Sequence, residues 1–420
     1  MLAQRAGEHR RLRQLLAQLT GSRAAGRLAG SPGAHQAAVQ IADHWAALGL
    51  EPADESGFLR PVLVPALRLQ RAPSLTVGAL AFEHRSDFAE DAIHSAAGVA
   101  EGPLRVLVPG EGLPAEQLAG AVLLLPHPQP ELDLRATAAR AAAMGARGLL
   151  LSTPVARWFG KSVHVGRGDL PVARLRAALA EQMAAAAPMS VRLELPMTRE
   201  PARCHNVVAT LPGHDRGRAL LLSAHYDHVG DDPGGARFPG AFDNASGVAL
   251  MVQLAHRLAR RPRRSRPMDI VFAALTGEES GLHGAHALLQ DRPRRWDAAI
   301  NLDALGLRQP TLALRLGHAR PGDPLAEHAG HWLAARGIEL DAADGRDDSA
   351  VWRHAGIPTL GLGQQRRGGP WPMHTPADDQ AALDFDQLHM LTDLLDELIT
   401  QVPAWLPAPQ PHPQPQGALP

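Results

Sequence analysis

From residue 204 onward the chain repeats one local pattern. A short, almost continuously apolar run is followed by a stretch of helical period. NVVATLPG, ALLLSAHYD, MDIVFAAL, AAINLDAL, TLALRLG and TLGLG read as strands. Between the second and third of these, Asn244 to Ala259 places Val248, Met251, Val252, Ala255 and Leu258 on one helical face, and 383–401 reads as a closing helix. Strands that are apolar on both faces have no side for water and need helices above and below them. The expected fold class is therefore α/β, a mostly parallel mixed sheet sandwiched by helices.

The rest of the chain has a different texture. Residues 4–20 and 34–48 read as helices, with Ala34, Ala37, Ala38, Ile41, Trp45 and Leu48 on one face of the second and Gly49 as its stop. Residues 61–198 carry short β-like runs (62–67, 104–108, 121–125, 148–152) and two helical stretches, 134–144 and 172–183, and read as a separate small α/β unit. The tail from Pro403 is Pro-rich and reads as disordered or PPII-like. The expected organisation is an N-terminal helical segment over 1–60, the small unit over 61–198, a larger α/β domain over 199–402, and a tail over 403–420.

Composition narrows the function classes. A chain of 420 residues, 45% apolar and with net charge -1, can bury a large core and has no global field to attract nucleic acid or anionic lipid. The basic run Arg260 to Arg266 has no interleaved aromatic residue and reads as a solvated loop. Cys204 is the one cysteine, so no internal disulfide forms. The N-terminus lacks an apolar core of the signal-peptide kind, and no apolar run is long enough to span a bilayer. The chain reads as soluble and without a membrane partner: cytoplasmic as written, or periplasmic or secreted if a leader has been omitted.

Ionisable residues gather where these strands end. His225, Asp227 and His228 follow ALLLSA; Glu278 and Glu279 follow MDIVFAALTG; Asp303 closes AAINLD; His374 lies after TLGLG in MHTPADD; and Asp243 precedes the 244–259 helix. Sites in open α/β sheets form outside the carboxyl ends of the strands. Each residue alone has an ordinary reading as a cap or a solvated side chain, but the set shares one edge. Two histidines and three carboxylates without a thiolate suit a pair of divalent ions of the zinc type. A carboxylate such as Asp243 can bridge two ions roughly 3.5–4 Å apart. On an extended strand His225 and Asp227 point the same way, so Asp227 is expected to accept a hydrogen bond from the far nitrogen of His225. Adjacent Glu278 and Glu279 diverge, one for metal and one as general base. Asn244 or Ser246 is expected to cap the following helix. His228, His283, His286 and His354 read as ordinary histidines, and Tyr226 as a packing residue.

In order, HYDH, GAFDNASGVA, ALTGEESGLHG, NLDALG and MHTPADD resemble the M28 zinc aminopeptidases, over about 200–400 and the first 50 residues. LAGAVLLLP, ATAARAAAMGARGLLLS and LPVARLRAAL resemble the strand–helix–strand pattern of a protease-associated (PA) domain inserted in that family. The resemblance implies a dizinc exopeptidase fold with two zinc ions per chain. His225, Asp243 and Asp303 would hold one ion, and Asp243, Glu279 and His374 the other. Glu278 would be the general base, Asp227 would orient His225, and the Asp243–Asn244 peptide would be cis. It implies an aminopeptidase acting on peptides with a free N-terminus through a hydroxide activated by two zinc ions. The alternatives are another M28-like activity (a carboxypeptidase, or a glutaminyl cyclase with one zinc) and a non-catalytic binding protein on the same fold. Two departures stand out. Met373 occupies a position where the family commonly has Tyr, with Arg366 or Arg367 as possible substitutes for its phenol. RDDSAVWRHAGIP, with Asp348 and Ser349, replaces the family's Ser-Asp-His before GIP.

Overall fold

The computed structural model describes residues 2–107, 118–127, 131–155, 157–187, 189–291, 295–317, 323–343, 346–368 and 371–406. Its larger sheet has nine strands, in the order Glu51–Pro52, Met197–Leu211, Met268–Leu275, Asp215–His225, Ala298–Asp303, Thr359–Gln364, Ala313–Gly317 and Glu339–Ala343, with Leu59–Leu69 also paired to Met197–Leu211. The four central strands run parallel, as Leu222↔Phe272, Leu222↔Ile300 and Ile300↔Leu360 show. Every residue of Met268–Leu275, Ala298–Asp303 and Thr359–Gln364 is buried, the consequence of helices on both faces.

One face carries the helices Leu2–Thr20, Pro32–Ala47, Ser246–Ala259, Pro324–Ala334 and Phe385–Trp405, which share a core with the sheet. Ser246–Ala259 is buried almost all round, because the first, second and last helices pack over the side that its pattern leaves for solvent. The other face is covered by His283–Gln290 and Ser349–His354, with Trp296 and Trp352 edge to face at 5.5 Å.

Residues between the strands Leu59–Leu69 and Met197–Leu211 form a second unit. Its eight-stranded sheet runs Leu80–Phe82, Ser74–Val77, Ser190–Leu195, Gly98–Val106, Val122–Leu125, Gly148–Thr153, Val172–Arg176, Phe88–Glu90, and it has its own apolar clusters. The chain leaves the large sheet on Leu59–Leu69 and returns on its antiparallel partner, in register from Val207↔Leu59 to Met197↔Leu69. The small unit is thus an insertion carried on a two-stranded ribbon. Residues 61–69 and 197–198 belong to the ribbon rather than to the small sheet.

Two expectations are corrected. The stretch 172–183, read as one helix, is a strand, Val172–Arg176, followed by the helix Ala177–Ala186. Val172 and Ala173 are fully buried beside Gly148–Thr153, and sheet pairing overrides the helical run of apolar residues. The tail does not begin at Pro403: the last helix continues to Trp405, whose ring stacks on His328 and meets Trp332 edge to face. In a final turn Pro403 forfeits one backbone hydrogen bond, and this packing compensates. Residues 407–420 lie outside the described residues. Among the described residues, no helix is long and apolar enough to cross a membrane.

Candidate metal centre

The parallel strands end on a common edge, and there the ionisable residues meet. His225 is the last residue of Asp215–His225 and is 1% exposed; Asp303 is the last of Ala298–Asp303. Asp243 lies in a tight turn, 241–245, before Ser246–Ala259, and its peptide bond to Asn244 is cis. Asn244 ties this turn to the neighbouring strand: Nδ2 donates to Leu302 O (2.9 Å), and Oδ1 accepts from Ala304 N (3.2 Å) and from Gly247 N (3.0 Å). Neither expected residue is the N-cap, which is Ala245; Asn244 accepts from the first helical turn from one residue further out, while Ser246 donates back to Phe242 O (2.8 Å). Gly240 has φ 60, and a Cβ there would lie 2.5 Å from the His228 ring; only glycine lets the two loops approach this closely.

The donor atoms fall into two groups that share Asp243: His225, Asp243 and Asp303; and His228, Asp243, Glu279 and His374. In the first, His225 Nε2 lies 3.3 Å from Asp243 Oδ1 and 3.4 Å from Asp303 Oδ1. In the second, His374 Nε2 lies 2.9 Å from Asp243 Oδ2 and 3.0 Å from Glu279 Oε2. The residues that sequence reasoning assigned to metal are all brought together, three and three, with one carboxylate common to both.

The donor set fits a pair of divalent cations. Asp243 Oδ2 is buried without a hydrogen-bond partner and lies 2.9 Å from the His374 imidazole, an arrangement that a shared cation would satisfy. Imidazole and carboxylate without thiolate is a zinc-type donor set.

Electrostatics separate the two adjacent glutamates. Burial alone would raise Glu279, but the His374 charge and a hydrogen bond from His228 hold it down at about 2. Burial pushes Glu278 well above the carboxylate range; Asp303, Glu279 and Asp348 add to this, and His225 opposes it. Burial would lower His225, yet Glu278 and Asp303 carry it well above the usual imidazole value.

Other residues differ from expectation. His225 Nδ1 is 3.2 Å from the backbone carbonyl of Asp227 and 3.8 Å from its carboxylate. The strand ends at His225, so Asp227 does not sit two residues along an extended backbone; its Oδ1 instead accepts from Glu278 N (3.2 Å). Burial raises Asp227 to about 7. His228, read as ordinary, is fully buried with Nδ1 2.9 Å from Glu279 Oε1. Among the described residues His283, His286 and His354 enter neither donor group. Tyr226 packs in the core, with its hydroxyl donating to His205 O (2.7 Å).

Two supports carried no recognisable signal. Asp378, fully buried, accepts from Phe242 N (2.6 Å) and Asp243 N (3.1 Å), holding the turn that presents Asp243. It stands inside MHTPADD, so its motif was visible but its role was not. Arg27, also fully buried, donates only to backbone carbonyls: Tyr226 (2.6 Å), Pro239 and Gly240 (2.8 Å each), and Leu19.

Around the edge, Met373 packs against the core, and Trp371 meets Phe242 edge to face at 5.2 Å. Arg367 spends its guanidinium on Asp341 (2.8 Å) and Glu339 (3.1 Å), so it is not free to replace a phenol. Asp348 is 1% exposed with neither carboxyl oxygen hydrogen-bonded, and Ser349 accepts from Arg353 Nη1 (2.7 Å).

The sequence pattern of Peptidase family M28 matches residues 206–399. A probable zinc metalloprotease of Pyricularia oryzae is 46% identical over 109 residues, which is 25% of this chain and 20% of the fungal protein; the matched segment spans about a fifth of that relative's length. Across nearly the whole fold, the chain resembles the zinc aminopeptidase BSAP from Bacillus subtilis (19% identity, TM-score 0.71, 94% of each chain covered). It also resembles the aminopeptidase from Aneurinibacillus sp. strain AM-1 (18% identity, TM-score 0.69, 94% of this chain and 93% of that one). At these identities the structural likeness is one of fold.

Proposed function

Because residues 206–399 are a peptidase family M28 domain, we propose that this protein is a zinc-dependent aminopeptidase that hydrolyses the first peptide bond of peptides with a free N-terminus. The observation that carries the reading is the single buried carboxylate, Asp243, common to two donor groups. The names of the two bacterial fold neighbours favour aminopeptidase over other peptidase activities. In this reading His225, Asp243 and Asp303 hold one zinc ion, and Asp243, Glu279 and His374 the other. Bound there, the ions supply Lewis acidity toward a carbonyl oxygen and acidify a water.

The remaining work falls to the chain. Glu278 accepts the proton of the attacking water and passes it to the departing amine. Asp227 fixes the turn carrying Glu278 through the Glu278 amide, and Asp378 fixes the turn carrying Asp243. Met373 offers no donor to a developing oxyanion. Trp371, seated on Phe242, walls the space for the first side chain. We read the inserted unit as a protease-associated domain from its strand–helix–strand motifs.

The test is turnover of aminoacyl-nitroanilides against their N-acetylated counterparts, before and after chelation and zinc return, with metal content measured in parallel. Cleavage confined to free amines, lost with chelator and restored by about two zinc ions per chain, is expected. Equal cleavage of blocked substrates would overturn the aminopeptidase assignment. Zinc-loaded protein that cleaves nothing would overturn the enzyme assignment.

A further inference from the structure

Lys161 is the only lysine in the chain. It lies in the inserted unit, between the strands Gly148–Thr153 and Val172–Arg176, yet its contacts are with the other domain. Its ammonium donates to Gly230 O (2.7 Å) and pairs with Asp232 Oδ1 (2.9 Å), and its backbone N–H donates to His374 O (2.9 Å). The side chain is 4% exposed. A second cation of the same unit joins it: Arg85 Nε is 2.7 Å from Asp232 Oδ2, with Glu90 2.6 Å behind it. Both cations lie over the Phe238 ring. Two cations and two carboxylates, all buried, with His84 on Glu90 (2.8 Å), form a hydrogen-bonded knot between the units.

The position of this knot gives it a consequence. His228 precedes the Gly230–Asp232 segment by two residues, and His374 takes Lys161's amide on its own carbonyl. His374 is the most exposed donor of its group, with 32% of its side chain accessible, and its φ of 59 is left-handed. A residue with a Cβ keeps that conformation only where its surroundings hold it. Lys161 therefore grips, from outside the catalytic fold, the two loops that carry the histidines of the second donor group.

We propose that the inserted unit is a working part of the metal centre. Lys161 is a positioning residue: its ammonium, anchored on Gly230 O and Asp232, fixes the backbone N–H that donates to His374 O, and so sets the affinity of the Asp243–Glu279–His374 group for its ion, leaving the His225–Asp243–Asp303 group unaffected. This rests on the reading above that each group binds a divalent ion. Groups that orient a ligand without touching the metal are commonly worth about 10- to 100-fold in affinity. Coupling is reciprocal: if the grip tightens the ion, the ion must tighten the grip by the same factor.

The experiment is a cobalt(II) titration of the metal-stripped full-length protein, followed by the visible bands of the ion. Wild type is expected to fill two sites, and Lys161→Met to lose about 10- to 100-fold at one while keeping the other. Unchanged affinities, or equal weakening at both sites, would overturn the proposal. Hydrogen exchange on wild type needs no variant, and it decides the matter if Lys161→Met does not fold. Loading the second ion should slow exchange at the Lys161 amide by about tenfold or more, and no change would overturn the proposal. Wild type that binds no ion sinks the metal reading and this proposal together. Wild type that binds two ions with both signatures absent sinks this proposal alone.

Discussion

Arg27 gives the sharpest stability prediction. Replacing it with Met keeps an unbranched side chain but removes a fully buried guanidinium that makes four hydrogen bonds to carbonyls. At about 1.5 kcal/mol for each bond from a charged donor, the loss is about 6 kcal/mol. Against this stands the cost of keeping the cation out of water. Burial lowers Arg27 from the ordinary guanidinium value to about 10, even with Asp378, Asp243, Asp227 and Glu279 pulling upward; at 1.36 kcal/mol per unit that is roughly 3 kcal/mol. The net loss is about 3 kcal/mol, or about 3 °C in Tm for a chain of this size. It should be local, because Tyr226, Pro239 and Gly240 bound the segment between His225 and Asp243. Thermal unfolding of metal-stripped protein, with hydrogen exchange resolved over 226–240, measures both. Arg27→Lys should recover part of the loss, since three donors cannot reproduce the planar fork. A melting point within about 1 °C of wild type, or unchanged protection over 226–240, refutes the reasoning.

Three further outcomes are expected. Glu278→Gln should lower kcat by about 10²–10⁴-fold with both metal sites still filled; lost metal would instead place Glu278 among the ligands. Asp378→Ala strands the Phe242 and Asp243 amides, at about 1–3 kcal/mol each, so stability and metal affinity should fall together, and a drop in only one argues against its role in holding the turn. Glu90 sits at about 2, because the Arg85 charge and a His84 hydrogen bond outweigh burial. A lowered carboxylate pKa gives stability that is full above the unfolded value near 4.5 and is lost as pH falls toward 2. The gap in unfolding free energy between wild type and Glu90→Gln should therefore be widest above pH 5 and close across that window, and a constant gap would show that the knot between the units is not electrostatic.

Much of the site could be read along the chain because its signals are local. An apolar run marks a strand, its last residue marks an edge, and His225, Asp303 and the Glu278–Glu279 pair stand at or just beyond such ends. His228 escaped because a histidine three residues past a strand has no fixed direction until the next turn is built. Asp227 was misdirected because the strand was taken to continue past His225. The helix expected over 172–183 failed for a related reason: Val172–Arg176 pairs with a strand from elsewhere in the chain, and pairing overrides local preference.

The amino-acid order alone determined the layers of the larger domain and most of the ionisable side chains that share its edge, since hydrophobic period and strand ends involve only near neighbours. The tertiary structure alone decided what holds those side chains in place. Arg27 reaches Tyr226 across 199 residues, Asp378 reaches Asp243 across 135, and Lys161 reaches Gly230 across 69. In each case one partner is a backbone amide or carbonyl, a group that almost every residue carries, so nothing in the partner's identity marks the contact before the chain is folded.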